Sequence, residues 1–189
     1  MSLISYKLMQ ATFLDIDSLI NYDYAYVYKF KDFKFCKGII EALKNLLELN
    51  YNLTLITNQS INTRGIFTKK EYEKTADFMI DKFKENDIKI TKIYDCPPHP
   101  LIFNKEFFDC ECRKPKPEFI IKASSEYNIE MHKSISNRDS ERDLIAAIST
   151  GIRKRYLLKQ YSLFWKKNLV TSVHNSLFEC EKLLKNNSK

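Results

Sequence analysis

Strand-like and helix-like segments alternate from end to end of this chain, and that order limits its fold more than any other feature. Five segments read as strands: "QATFLDI", "NLTLITN", "KITKIYD", "KSISN" and "RYLLK". The first, second and fifth are rich in the β-branched, aromatic and aliphatic residues that suit a strand buried on both faces. The fourth is polar and weak. Between them run helical patterns: "CKGIIEALKNLLELN", "TKKEYEKTADFMIDKFKEN", "KPEFIIKASSEYN", "SERDLIAAISTGI" and "NSLFECEKLLKN". In the first of these, Ile39, Ile40, Leu43, Leu46 and Leu47 recur at helical spacing. The second opens with a capping box, Thr68 and Glu71. Pro117 sits near the first turn of the third, where a missing N–H costs nothing. The order predicts an α/β, Rossmann-like, open and mostly parallel sheet with helices on both faces. With 189 residues and no low-complexity linker, the expectation is one domain spanning 1–189. In such sheets ligands bind at the carboxyl ends of the strands, so the residues that follow each strand carry the functional question.

Charge and cysteine usage narrow the classes. Lysine and arginine number 31 against 24 acids, a net charge of +7 that attracts anions in general. The basic residues are spread along the chain, without a basic arm or helix, so no nucleic-acid partner is expected. No apolar run approaches the roughly 18 residues needed to span a bilayer. The start "MSLISYKLMQATFLDID" lacks a signal peptide's order of regions. A cytoplasmic protein without membrane association is expected. Five unevenly spaced cysteines make no disulfide framework. Clustered Cys and His in a reducing compartment point to metal first. Cys36 and Cys180 fall in helical patterns and read as buried apolar residues.

The strand ends hold a consistent set of groups. Asp15 and Asp17 follow the first strand in "FLDIDSLIN", where two carboxylates can share one crevice as nucleophile and proton shuttle. Two solvated loop acids are the plainer reading of that fragment alone. The second strand ends in Thr57, Asn58, Gln59 and Ser60, with Arg64 and Gly65 beyond. Hydroxyls, amides and backbone N–H groups there suit a phosphate oxygen, or any polar turn. The third strand leads into "DCPPHPLIFNKEFFDCECRKPKP", whose Arg113 can fork onto phosphate while Lys114 supplies a point charge. After the fourth comes "RDSERD" with Asp139 and Asp143. Magnesium with phosphate needs only one or two protein carboxylates, and Asp139 is placed to give one. Asp143 reads as a helix-start or supporting acid, Lys116 as a solvated charge, and His132 and His174 as surface or satisfied core residues.

Taken in order, "FLDIDSLIN", "ITNQSINTRGIFT", "CPPHP", "CECRKPKPEF" and "DSERDLIAA" resemble the haloacid dehalogenase superfamily. Within it they are similar to the branch of heptose bisphosphate and histidinol-phosphate phosphatases. The resemblance implies a magnesium-dependent phosphatase without a separate cap domain, acting on a small phosphorylated sugar through an aspartyl-phosphate. Such an enzyme would be a monomer serving lipopolysaccharide or capsule precursor synthesis. It implies that Asp15 attacks phosphorus, Asp17 acts as acid and then base, Thr57 holds the phosphoryl group and Lys114 neutralises charge. Asn58, Gln59, Arg64 and Arg113 would hold substrate. Asp15, the Asp17 carbonyl and Asp139 would hold Mg2+. Histidinol-phosphate hydrolysis is the enzyme rival. A relative that binds phosphorylated ligand or a partner without turnover is the rival of another class.

Five departures stand against the pattern. Ile16 and Ser18 replace the arginine and glycine of the family's Asp-Arg-Asp-Gly opening. Ile61 replaces a turn glycine, and Arg138 replaces the glycine before Asp139. In the candidate zinc loop at 95–113, Pro98 stands where the family has histidine, and His99 follows one place later. Zinc takes four ligands at about 2.0–2.3 Å. Two prolines in extended geometry, advancing roughly 3.1 Å per residue, would carry His99 away from Cys96. A type VI turn with a cis bond before Pro98 would bring it back. Three arrangements are open: structural Zn2+ on Cys96, His99, Cys110 and Cys112; Zn2+ on the three cysteines plus water; or no zinc.

Overall fold

The structure is a computed structural model, and it describes residues 8–16, 19–21, 33–58, 69–96, 111–138, 140–158 and 167–186. Six described strands, β1 (Gln10–Leu14), β2 (Tyr51–Asn58), β3 (Ile90–Cys96), β4 (Ile135–Arg138), β5 (Lys154–Leu158) and β6 (Ser172–His174), form one sheet in the order β3-β2-β1-β4-β5-β6. Every neighbouring pair is parallel. The helices are α1 (Ile39–Glu48), α2 (Lys69–Glu85), α3 (Glu118–Tyr127), α4 (Glu141–Ser149) and α5 (Leu177–Asn186). All five expected strands are present. The sixth is a correction: "SVH" is too short to show a period, and pairing of Tyr156 with Ser172 makes it a strand.

Alternation along the strands divides the core. Ala11 and Phe13 of β1 pack with Ile56, Ile120, Ala123 and Ala147, under α3 and α4. Leu14 packs with Leu53, Leu55, Leu43, Phe83 and Leu184, under α1, α2 and α5. Side chains of successive residues leave a strand on opposite faces, so strands covered on both sides must be apolar nearly throughout. The α4 segment ends where the left-handed Gly151 (φ 83°) lets the chain turn back. Its N–H reaches the Ile148 carbonyl at 3.0 Å and the Ile152 N–H reaches that of Ala147 at 3.2 Å, a Schellman motif that seats buried Ile152.

The polar strand needs a separate account. All four residues of β4 are buried, and three are Ser136, Asn137 and Arg138. Asn137 Nδ2 donates to Thr12 Oγ1 on β1 at 3.0 Å, and Arg138 Nε donates to Ser136 Oγ at 3.0 Å. Just ahead, Ser134 Oγ accepts the Ala11 N–H at 3.0 Å and donates to the Glu130 carbonyl at 2.8 Å. Side-chain bonds thus take the place of water for several of these groups, though Asn137 Oδ1 and Arg138 Nη2 stay buried without a partner among the described residues.

Several smaller expectations resolve as well. Cys180 lies buried in α5, but Cys36 precedes α1 in a turn and is only partly buried, its N–H on the Ile20 carbonyl at 2.8 Å. The helical reading was extended too far there, because Gly38 (φ 78°) starts α1 after it. His174 meets Ser172 Oγ at 2.7 Å and the edge of Tyr156, and His132 is exposed beside Glu130. Lys116 is partly exposed and pairs with Glu111 at 2.6 Å. Thr68, Ser18 and Ile61 lie outside the described residues. Among the described residues no helix is long and apolar enough to cross a membrane.

Candidate active site

The sheet order itself creates a crevice. From β1 the chain winds out through β2 and β3, then returns to β4 on the other side of β1. The carboxyl ends of β1 and β4 are therefore a topological switch point, where loops part and leave room for a ligand. Leu14 pairs with Leu55 on one side and Asn137 on the other. One residue further on, Asp15 stands level with Ile56 and Arg138. Thr57, buried, and Asn58 end β2 beside them.

Lys114 reaches this point from the turn before α3. It is 4% exposed, and its ammonium group has three acceptors: Asp15 Oδ2 at 2.9 Å, Asp143 Oδ1 at 2.6 Å and the Ile56 carbonyl at 3.0 Å. Burial alone would drive the proton off this amine. The Asp15 and Asp143 carboxylates outweigh burial and hold its pKa above the usual lysine value, so it is a fixed cation. Asn58 clamps the same residue by its backbone: Oδ1 accepts the Lys114 N–H at 3.2 Å and Nδ2 donates to the Lys114 carbonyl at 3.3 Å. Strand β2 thereby fixes where the cation sits. Asp15 Oδ1 accepts the N–H of Ile16 at 2.9 Å.

Asp143, in the first turn of α4, is 2% exposed. Burial would raise its pKa, but Lys114 and Arg138, helped by the Ser140 hydroxyl, depress it instead. Arg138 Nη1 lies 3.6 Å from Asp143 Oδ1 and 3.4 Å from the Ile56 carbonyl. The sequence reads Asp143 as a helix-start or supporting acid. Its ion pair with Lys114 could not be read there, since the two are far apart in the chain and meet only across the sheet.

Asp15, Thr57, Asn58 and Lys114 are thus brought to one place. Arg113 flanks Lys114, and its charge acts on Cys96. Asp17, Gln59, Arg64, His99, Cys110 and Asp139 lie outside the described residues. Among the described residues no group of three or more His, Cys, Asp and Glu gathers as a metal site. Asp15 nonetheless suits magnesium: it is a hard carboxylate donor at the strand ends and keeps some solvent exposure. In the cysteine loop the buried Cys96 is a free thiol with its sulfur 2.7 Å from that of Cys112, whose own disulfide is not with Cys96. Burial raises the Cys96 thiol pKa, against the pull of Arg113.

The fold is shared with a haloacid dehalogenase-like phosphatase of Mesorhizobium loti, with a TM-score of 0.82 at 18% identity over 95% of this chain and 87% of that one. The D,D-heptose 1,7-bisphosphate phosphatase of B. bronchiseptica, solved with magnesium and phosphate, matches with a TM-score of 0.78 over 95% of this chain and 99% of that one. At 23% identity that likeness is one of fold. Sequence goes further. The D-glycero-α-D-manno-heptose-1,7-bisphosphate 7-phosphatase of Campylobacter jejuni is 40% identical over 151 residues, covering 80% of this chain and 83% of that protein. The D-glycero-β-D-manno-heptose-1,7-bisphosphate 7-phosphatase of Helicobacter pylori is 39% identical over 155 residues, covering 82% and 86%. No protein-family model matches the chain. The chain belongs to the D-glycero-D-manno-heptose-1,7-bisphosphate 7-phosphatase family, a family of phosphoric monoester hydrolases.

Proposed function

We propose that this protein removes the 7-phosphate of a D-glycero-D-manno-heptose 1,7-bisphosphate through an aspartyl-phosphate on Asp15. The observation that carries the reading is the buried Lys114 ammonium, held 2.9 Å from Asp15 at the switch point of the sheet. An anionic nucleophile approaches an anionic phosphate only when fixed cations offset the repulsion. Asp15 attacks phosphorus, and the bond from phosphorus to the sugar oxygen breaks. Asp17 gives that oxygen its proton. Asp17 then takes a proton from water, whose oxygen attacks phosphorus and releases Asp15 and inorganic phosphate. Thr57 bonds the transferring group, Lys114 keeps its charge beside it, and Asn58 holds Lys114 in place. Gln59, Arg64 and Arg113 line the substrate side. Magnesium, held by Asp15, the Asp17 carbonyl and Asp139, would offset the negative charge of phosphate and nucleophile.

The test is phosphate release with magnesium over a panel holding both anomers of heptose 1,7-bisphosphate and histidinol phosphate. Both anomers belong in it because the two relatives differ in that word of their names. Magnesium-dependent turnover of a heptose bisphosphate, lost in Asp15→Asn, is expected. Turnover no better than that variant would overturn the reading, and preference for histidinol phosphate would move it to the rival. We place the enzyme in the cytosol as a monomeric single domain. Structural zinc belongs to the same proposal and rests on the convergence of Cys96 and Cys112. With Cys112 in a disulfide, a zinc clip requires the reduced protein. Metal analysis of reduced protein purified without chelator should find zinc near equimolar with protein, and a value near zero removes the zinc.

A further inference from the structure

Arg138 has no task in the phosphatase reading, yet it is fully buried at the end of β4, level with Asp15. Its Nε is used by Ser136, and its Nη1 faces Asp143 and the Ile56 carbonyl. Its Nη2 is buried and has no hydrogen-bond partner among the described residues. A guanidinium is costly to bury, and a residue that only filled this space would serve better apolar. What it changes is charge. Asp15 and Asp143 carry two negative charges against one on Lys114. With Arg138 on Asp143, these described groups balance. Without it, they would be left with one uncompensated negative charge, and Asp143 would draw on Lys114 alone.

We propose that Arg138 is a positioning residue that acts through Asp143. It takes up part of the Asp143 charge, so that Lys114, shared between Asp143 at 2.6 Å and Asp15 at 2.9 Å, keeps charge for Asp15, and it shifts the ion preference of the crevice from magnesium toward phosphate. The proposal rests on the phosphatase reading only in taking phosphate as the anion bound there.

Binding to the metal-free protein tests it without need of turnover. In titration calorimetry Arg138→Gln should bind magnesium on the order of tenfold more tightly and inorganic phosphate on the order of tenfold more weakly than wild type. Arg138→Lys, which restores the charge without the planar fork, should return both affinities toward wild type. A folded Arg138→Gln with wild-type affinity for both ions would overturn the proposal and leave Arg138 a packing residue. Should that variant not fold, the wild-type protein still decides. Its balanced site should bind inorganic phosphate without metal at a Kd below about 10 mM, and absence of such binding overturns the proposal. Loss of the phosphatase reading would appear separately, as wild-type protein without turnover on any sugar phosphate.

Discussion

Strands β1 and β4 lie side by side in the sheet and are buried but for Gln10, yet β1 is mostly apolar and β4 mostly polar. β1 presents Ala11, Phe13 and Leu14 to two apolar layers. β4 presents Ser136, Asn137 and Arg138 to bonded partners. An apolar strand gains from burial itself, at about 25 cal/mol per Å2 of apolar surface. A polar one gains little and depends on the bonds its groups make, which here still leave the buried Asn137 Oδ1 and Arg138 Nη2 without a partner among the described residues. Polar residues in a central strand therefore carry a specific demand, and here the demand comes from the crevice, where β4 supplies the wall behind Asp143 and Lys114. β1 makes the sheet, and β4 sets the electrostatics of its open end.

The contrast breaks most sharply at the cation both strands surround. Lys114→Met should lower kcat by about 10²–10³-fold, the scale of losing one preorganised group at a developing charge. It also leaves Asp15 and Asp143 facing one another without their common partner, a loss of about 3–5 kcal/mol in urea unfolding. A variant with unchanged stability would mean that water, not the protein, satisfies those carboxylates. Phe13→Ala attacks β1 instead. It should cost a similar ~3–5 kcal/mol through cavity formation while the kcat of the folded fraction is kept, measured by urea unfolding and by active-site titration. Asn137→Ala attacks β4 and should cost less, about 1–3 kcal/mol, by leaving the Thr12 hydroxyl unpaired in the core. If Asn137→Ala proved as harmless as a surface change, the polar strand would not depend on its side-chain bonds.

The same contrast explains what the sequence could disclose. "QATFLDI" and "NLTLITN" are legible because apolar burial writes a local pattern, and their position fixed where Asp15 and Thr57 would fall. "KSISN" is legible as a weak strand only, since the partners that justify its polarity, Thr12 and Asp143, come from other elements. The strand-end position marks Lys114 as a point charge, and resemblance to a family adds its role beside the nucleophile. The Asn58 clamp on its backbone and its second carboxylate needed the sheet order, which no local spacing encodes. Arg138 illustrates the limit. The sequence showed an arginine where a glycine was expected beside a metal carboxylate, while its direction, inward toward Asp143, is a tertiary fact.

The smallest expected effect lies where β4 hands over to α4. Ser140 occupies the N-cap of α4, but its hydroxyl bonds the Asp143 carboxylate, so it supports the charge cluster and not the helix end. Ser140→Ala leaves Asp143 paired with Lys114 and Arg138, and should cost only about 0.5–1.5 kcal/mol near neutral pH. Its signature is in acid. The folded pKa of Asp143 is depressed below the ordinary value of 3.8, chiefly by Lys114 and then by Arg138, with Ser140 adding to them. Below 3.8 the unfolded chain takes up the proton first, so the stability from this carboxylate, complete above that pH, is lost as pH falls through the folded pKa. Removing the hydroxyl raises the folded pKa toward the unfolded one. The acid limb of the Ser140→Ala stability curve should therefore start at higher pH, and the two proteins should converge once Asp143 is protonated in both. Parallel curves down to full protonation would show that Ser140 serves the helix end after all, and that the cluster ends at Asp143.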